Sequence, residues 1–137
     1  MSAPASAGPA AVLAWDRIER VAVHLVALHS LAVGVALVFA TEWSLAFGGW
    51  PNPGPAFFAR QGGAFHFVVA IAYVREFQRS RSVSLMLLAK TIGTIFLAGM
   101  TLAGGAPWVV PASCAGDAGM GLGIWFLHRK VCAMRNP

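Results

Sequence analysis

The chain has 137 residues, of which 58% are hydrophobic and only 11% are charged. A domain of this length buries too small a share of its surface to hide so many apolar side chains from water, and the composition is the opposite of that of a disordered chain. We therefore expect an integral membrane protein. We attribute the excess of ten Lys and Arg over five Asp and Glu to membrane topology, and we expect no nucleic-acid partner.

A segment rich in Pro, Ala, Ser and Gly, residues 1–14, begins the chain and predicts a mobile tail. A single transmembrane domain is predicted over residues 15–130, followed by a short C-terminal tail over residues 131–137. Four apolar runs in this domain each approach the roughly 20 residues that a helix needs to cross the hydrocarbon core. These runs are Ile18–Ala40, Pro55–Val74, Ser82–Leu102 and Pro107–Leu127.

Short links join the second run to the third and the third to the fourth, so these consecutive helices should lie side by side and antiparallel. We thus predict an all-α fold, namely a four-helix membrane bundle of up-down topology. Eight of the ten basic residues lie at one set of helix ends, and the opposite links contain none. Because basic loops tend to stay in the cytoplasm, both termini are predicted to be cytoplasmic, in a multi-pass protein of the inner membrane.

Ionisable side chains inside a membrane are costly and tend to face the interior of a helix bundle, so each one is a candidate functional residue. One such residue lies near the middle of each run: His29, His66, Lys90 and Asp117. At about 1.5 Å per residue, all four lie roughly 12 to 16 Å from the cytoplasmic end, and a single internal polar site requires such a shared depth. Tyr73 lies on the same predicted helix face as His66.

Small residues at helical spacing predict close packing, because membrane helices associate through backbone approach. The last run carries such a ridge at Ala115, Gly119 and Gly123. We therefore expect this helix to be the most enclosed of the four.

The polar residues leave several interpretations open. Lys90 and Asp117 could form a buried ion pair that only fixes helix register. Alternatively, His66, Lys90 and Asp117 could hydrogen-bond the polar head of a quinone or other lipophilic ligand. His29 and His66 could instead hold haem b or a chlorophyll-type pigment, or the cluster could belong to a proton or ion pathway. The candidate cofactor-binding residues are His66, His29, Lys90, Asp117 and Tyr73.

Enzyme motifs such as a nucleophile elbow, a zinc motif, a P-loop or a dinucleotide fingerprint are absent from suitable contexts. The two cysteines, Cys114 and Cys132, form neither a CxxC motif nor a Cys/His zinc spacing. We therefore expect no catalytic residues and no metal site.

The link GGWPNPGPAF and the following FFARQGGAFHFVVAIAYV, with Arg60, Gly62 and Gly63 at the start of the second helix, resemble the small bacterial four-helix membrane proteins of the DoxX-like group. The resemblance covers the organisation of residues 18–128. Some relatives in that group are subunits of quinone-reducing complexes, so the resemblance implies an accessory membrane subunit. We expect a non-catalytic accessory or packing subunit of a larger, bioenergetic membrane complex, with lipid and other subunits or copies of itself as partners.

Overall fold

The computed structural model describes residues 8–50 and 54–135, and every regular element in these residues is helical. Five helices follow one another in the order α1 (Pro9–Phe39), α2 (Thr41–Phe47), α3 (Ala56–Ser80), α4 (Ser84–Leu102) and α5 (Val109–Arg135). The chain is thus all-α, as predicted, but the predicted four-helix bundle is wrong. The additional helix is α2, a short helix in the Trp-containing link that follows the first apolar run.

Three helices in the described residues are long and apolar enough to span a membrane, namely α1, α3 and α4. By length and composition, therefore, the chain has the character of a membrane protein. The prediction of four spanning runs is wrong for the last of them, because α5, which contains Asp117 and several glycines, is not among the described helices that are long and apolar enough to span a membrane. The predicted up-down topology, which assumed four crossings, is therefore wrong as well.

Helix boundaries differ from the predicted ones at both ends of the chain. Helix α1 begins at Pro9, inside the segment predicted as a tail. Proline at the first position of a helix sacrifices no hydrogen bond, and the Ala and Leu residues that follow have high helix propensity. Helix α5 likewise continues to Arg135. The rest of the predicted tails, residues 1–7 and 136–137, and residues 51–53 of the first link lie outside the described residues.

The turn between α3 and α4 is short and well defined. Helix α3 ends at Ser80, and the next residue, Arg81, adopts a left-handed conformation with a φ of 55°. The free backbone N–H groups at the start of α4 then donate to side chains before them: Ser84 N–H to Ser82 Oγ at 3.1 Å, and Leu85 N–H to the Glu76 carboxylate at 3.0 Å. These hydrogen bonds replace the partners that a helix start lacks.

The four long helices are arranged as a curved row that does not close into a ring, since its two ends, α3 and α4, lie near each other without packing closely. Helix α1 packs against α3 on one side and α5 on the other, and α5 packs against α4. Although α3 and α4 are consecutive, they make few contacts with each other. The space between them is therefore a cleft, and the candidate site lies there.

Helices α1 and α3 approach each other closely. Gly34 and Gly63 face each other, so that a Cβ added to Gly63 would lie 2.9 Å from the carbonyl oxygen of Gly34. A larger residue at either position would separate the two backbones. Near the α3–α4 turn, a cluster of buried apolar side chains from all four long helices forms the core, including Val23, Phe77, Met86 and Ile124.

Candidate polar site between the helices

The centre of the site is an ion pair between α4 and α5. Lys90 Nζ donates to Asp117 Oδ1 at 2.6 Å. Lys90 is only 5% exposed, and Asp117 is partly buried. An ammonium group has three N–H donors, so the ion pair leaves two of them for other partners.

Two glycines provide the space that this ion pair occupies. Gly93 lies one turn after Lys90, and a Cβ there would be 3.0 Å from Asp117 Oδ2. Gly121 lies one turn after Asp117, and a Cβ there would be 3.4 Å from the Cβ of Lys90. The absence of side chains at these positions allows the two charged groups to meet between closely packed helices.

His66 on α3 faces the same place. Its Nδ1 atom is buried and has no hydrogen-bond partner among the described residues. His66 lines the cleft of about 300 Å³ between α3 and α4, together with Tyr73, Lys90 and Asp117. Because an unsatisfied buried polar atom costs about 1–3 kcal/mol, this nitrogen stands out as an incomplete part of the site.

A second cleft lies on the other side of the ion pair, between α4 and α5. It has a volume of about 450 Å³ and includes Thr91, Thr94 and Trp125 in its lining, as well as Lys90 and Asp117. The rest of its lining is mostly apolar. The Lys90–Asp117 ion pair therefore contacts two clefts that both open toward the outer surface of the bundle.

Four of the five predicted site residues line the cleft between α3 and α4, and His29 does not. His29 is exposed on α1, whereas its neighbour Ser30 is 1% exposed and lines the cleft. Successive helical residues differ by about 100° in direction, so only one of the two can face inward. Ser30 lies one turn before Gly34, and this shared face with the α1–α3 contact was the signal in the sequence that could have identified it.

The small-residue ridge of α5 does not lie where we predicted it. Ala115, Gly119 and Gly123 are all exposed, and a Cβ added to either glycine would meet nothing within 4 Å. The expectation that this helix is the most enclosed one is therefore wrong. Helix α5 uses a different face, with Val110, Ile124 and Val131, to contact the rest of the chain.

A network of charged residues that the sequence did not predict joins three helix ends at one end of the row. Asp16 on α1 accepts hydrogen bonds from Arg81, at 2.6 Å, and from Arg135. Glu19, one turn further along α1, is 1% exposed and lies 3.6 Å from Arg81 and 2.6 Å from His128. These contacts bring the beginning of α1, the α3–α4 turn and the end of α5 together.

Over residues 8–50 and 54–135, no group of three or more His, Cys, Asp or Glu side chains could hold a metal ion. Comparison of the chain with protein-family models, with curated proteins and with solved structures finds no match. The resemblance to the DoxX-like group therefore stays a prediction, and the function must be argued from the site.

Proposed function

We propose that the chain is a small membrane subunit that binds a lipophilic molecule by its polar head in the cleft between α3 and α4. The observation that carries the proposal is the buried, unpartnered Nδ1 of His66, which lies in the same cleft as the Lys90–Asp117 ion pair. A ligand that hydrogen-bonds this nitrogen would remove the cost of leaving it unsatisfied.

The donors of the cleft favour a ligand with carbonyl oxygens. Lys90 has two N–H groups left after its hydrogen bond to Asp117, and the neutral imidazole of His66 can carry its proton on Nδ1. Both groups would then donate to carbonyl oxygens, and the apolar side chains Phe65, Phe96 and Leu97 would contact the rest of the molecule. A quinone combines these properties, so we name it as the ligand class.

Binding can be measured on the full chain in detergent, with decylubiquinone as the probe and tryptophan fluorescence as the signal. We expect saturable quenching, and we expect His66→Phe to weaken it about tenfold, the effect of losing a hydrogen bond of about 1.4 kcal/mol. His24→Phe is the matched control, because His24 is exposed and its ring hydrogen-bonds within its own helix, at Arg20 O. Equal affinities for the two variants would refute the proposal.

The haem and chlorophyll-type alternatives have a separate test. A visible absorption spectrum of the gently purified protein would contain a Soret or Q-type band if such a pigment were bound. His66 is the ligand that we would assign in that case, since it is the only histidine that lines the cleft. A band that persists in His66→Phe would exclude this residue as the ligand.

A second candidate function, assembly with other membrane subunits, is supported by the exposed ridge of α5. Ala115, Gly119 and Gly123 recur every four residues on an exposed helix surface, an arrangement that lets a second helix approach closely. Native mass measurement in mild detergent would reveal the complex or homo-oligomer. We expect Gly119→Leu to dissociate it, whereas the same change at Gly99 serves as the control, because Gly99 is exposed on α4 and a Cβ there would meet nothing within 4 Å. A wild-type protein that remains an isolated monomer would refute this function.

We further propose that the protein lies in the inner membrane, and that the end of the row containing Asp16, Arg81 and Arg135 is on the cytoplasmic side. The support for this orientation is that most of the basic residues lie at this end. Labelling of cysteines introduced at Gln78 and at Leu102 with a membrane-impermeant reagent in intact cells would test it. Labelling at position 78 alone would show that the orientation is the reverse of the proposed one.

A further inference from the structure

Two members of the charged network, Glu19 and His128, form with Cys132 an arrangement that is typical of activated nucleophiles. Cys132 is exposed, and its Sγ lies 3.6 Å from His128 Nε2 on the preceding turn of α5. The other ring nitrogen, His128 Nδ1, lies 2.6 Å from Glu19 Oε1 on α1. A nucleophile (Cys132), a base (His128) and a carboxylate that orients the base (Glu19) are thus in contact in that order.

The contact with Glu19 determines which nitrogen of His128 can accept a proton. Glu19 is 1% exposed, and Arg81 lies 3.6 Å from its second oxygen and balances its negative charge. An ionised carboxylate only accepts hydrogen bonds, so His128 Nδ1 must carry the proton that is donated to it. In the neutral ring, Nε2 is then unprotonated, and it faces the thiol of Cys132.

The surface beside this arrangement combines apolar and basic groups. Trp125, Phe126, Arg129 and Lys130 line a cleft of about 560 Å³ on α5. Arg129 is one turn before Cys132, and the Lys130 ammonium lies 3.5 Å from the centre of the Trp15 ring. Aromatic side chains suit an acyl chain, and the two cations suit an anionic carrier.

We propose that Cys132 is a nucleophilic thiol that accepts an acyl group from a fatty acyl thioester, with His128 as the base and Glu19 as its positioning residue. The site lies at the opposite end of α5 from Asp117 and shares no member of this triad with the quinone cleft. The proposal therefore goes beyond the proposed function and does not depend on it.

The reaction balances without a further reagent. His128 Nε2 takes the proton of the Cys132 thiol, and the thiolate sulfur attacks the carbonyl carbon of the acyl thioester. A new C–S bond to Cys132 forms and the C–S bond to the carrier breaks. The carrier thiolate leaves with the proton from His128, so the products are an S-acylated Cys132 and a free carrier thiol.

The test uses the full chain in phospholipid nanodiscs with palmitoyl-coenzyme A, and intact-mass and peptide-level mass spectrometry follow the reaction. We expect one acyl group on Cys132, released by hydroxylamine, and no acylation in Cys132→Ser. His128→Gln should slow the reaction by about 100-fold or more, since a positioned base typically contributes about 10² to 10⁴-fold. Since His128 is only partly buried, this variant should fold. His24→Gln is the control, and it should react at the wild-type rate.

Alkylation by N-ethylmaleimide separates thiol activation from recognition of the acyl donor. If the alkylation rate of Cys132 falls in His128→Gln as the acylation rate does, the result would support activation of the thiol by His128. Rates within twofold of each other in wild type and His128→Gln would overturn it. If Cys132 is alkylated in a His128-dependent way but takes no acyl group from palmitoyl-coenzyme A, the proposed acyl donor is wrong.

Discussion

The contact between Gly34 and Gly63 makes a sharp prediction about two adjacent positions of α3. In Gly63→Ala, the new methyl group would lie 2.8 Å from Val38 Cγ2, 2.9 Å from Gly34 O and 3.0 Å from Leu37 Cβ. Two of these atoms belong to or adjoin the backbone of α1 and cannot rotate away, so the helices must separate. Overpacking of this kind costs about 1–3 kcal/mol.

Gly62→Ala is the matched control, since a Cβ at Gly62 would meet nothing within 4 Å. Both substitutions gain the same helix propensity, about 1 kcal/mol, so this contribution cancels in their difference. We therefore expect Gly62→Ala to be neutral or stabilising, and Gly63→Ala to be less stable than Gly62→Ala by about 1–3 kcal/mol.

The difference can be measured by thermal unfolding of the two variants in the same detergent, followed by circular dichroism. The protein concentration and the detergent concentration must be held constant, because both affect apparent stability. Equal stabilities for the two variants would refute the close backbone contact between α1 and α3.

Three further predictions concern charged or closely packed groups. Lys90→Met should destabilise the chain by about 3–5 kcal/mol because it leaves Asp117 without its partner. Adding Asp117→Leu should restore most of this loss of stability. An unchanged melting temperature in Lys90→Met would refute a buried ion pair. Gly93→Ala should displace the Asp117 carboxylate and so weaken the binding of decylubiquinone. Gly99→Ala is the control and should weaken binding less, because its Cβ would meet nothing within 4 Å. Equal affinities of the two variants would refute the tight fit around the ion pair. Asp16→Asn should cost about 1 kcal/mol or less, since its arginine partners are partly exposed, and high salt should diminish the difference from wild type; a salt-independent loss would contradict an electrostatic origin.

The residues that converge on the candidate site could be found from the sequence because the cost of burial is a property of single residues. Lys90, Asp117 and His66 are each too polar to face lipid, so one inward direction satisfies all three. Tyr73 followed from helical periodicity. His29 failed this reasoning because a histidine on an exposed helix face is indistinguishable, in sequence, from one that faces inward.

Other features depend on contacts between distant parts of the chain, which no local pattern specifies. The helix count was wrong because the first link is long enough for either a short amphipathic turn or a short helix, and seven residues give too little periodic signal to decide between them. The order of the helices in the row was missed because short links suggested that α3 and α4 would pack together, whereas Gly34 and Gly63 favour the contact of α1 with α3. The pairing of Glu19 with His128 joins residues 109 positions apart, and only the tertiary structure brings them together.

The charged network also has a consequence for the biogenesis of the chain. Asp16 and Glu19 leave the ribosome with α1, but Arg81, the partner of Asp16, follows only 65 residues later, and Arg135 follows 119 residues later. During translation, Asp16 therefore has only Arg20 of its own helix as a partner, at 3.6 Å, until the α3–α4 turn and the end of α5 have been made. The contacts that join the three helix ends form last, so the final residues of α5 complete the assembly of the first helix with the rest of the chain.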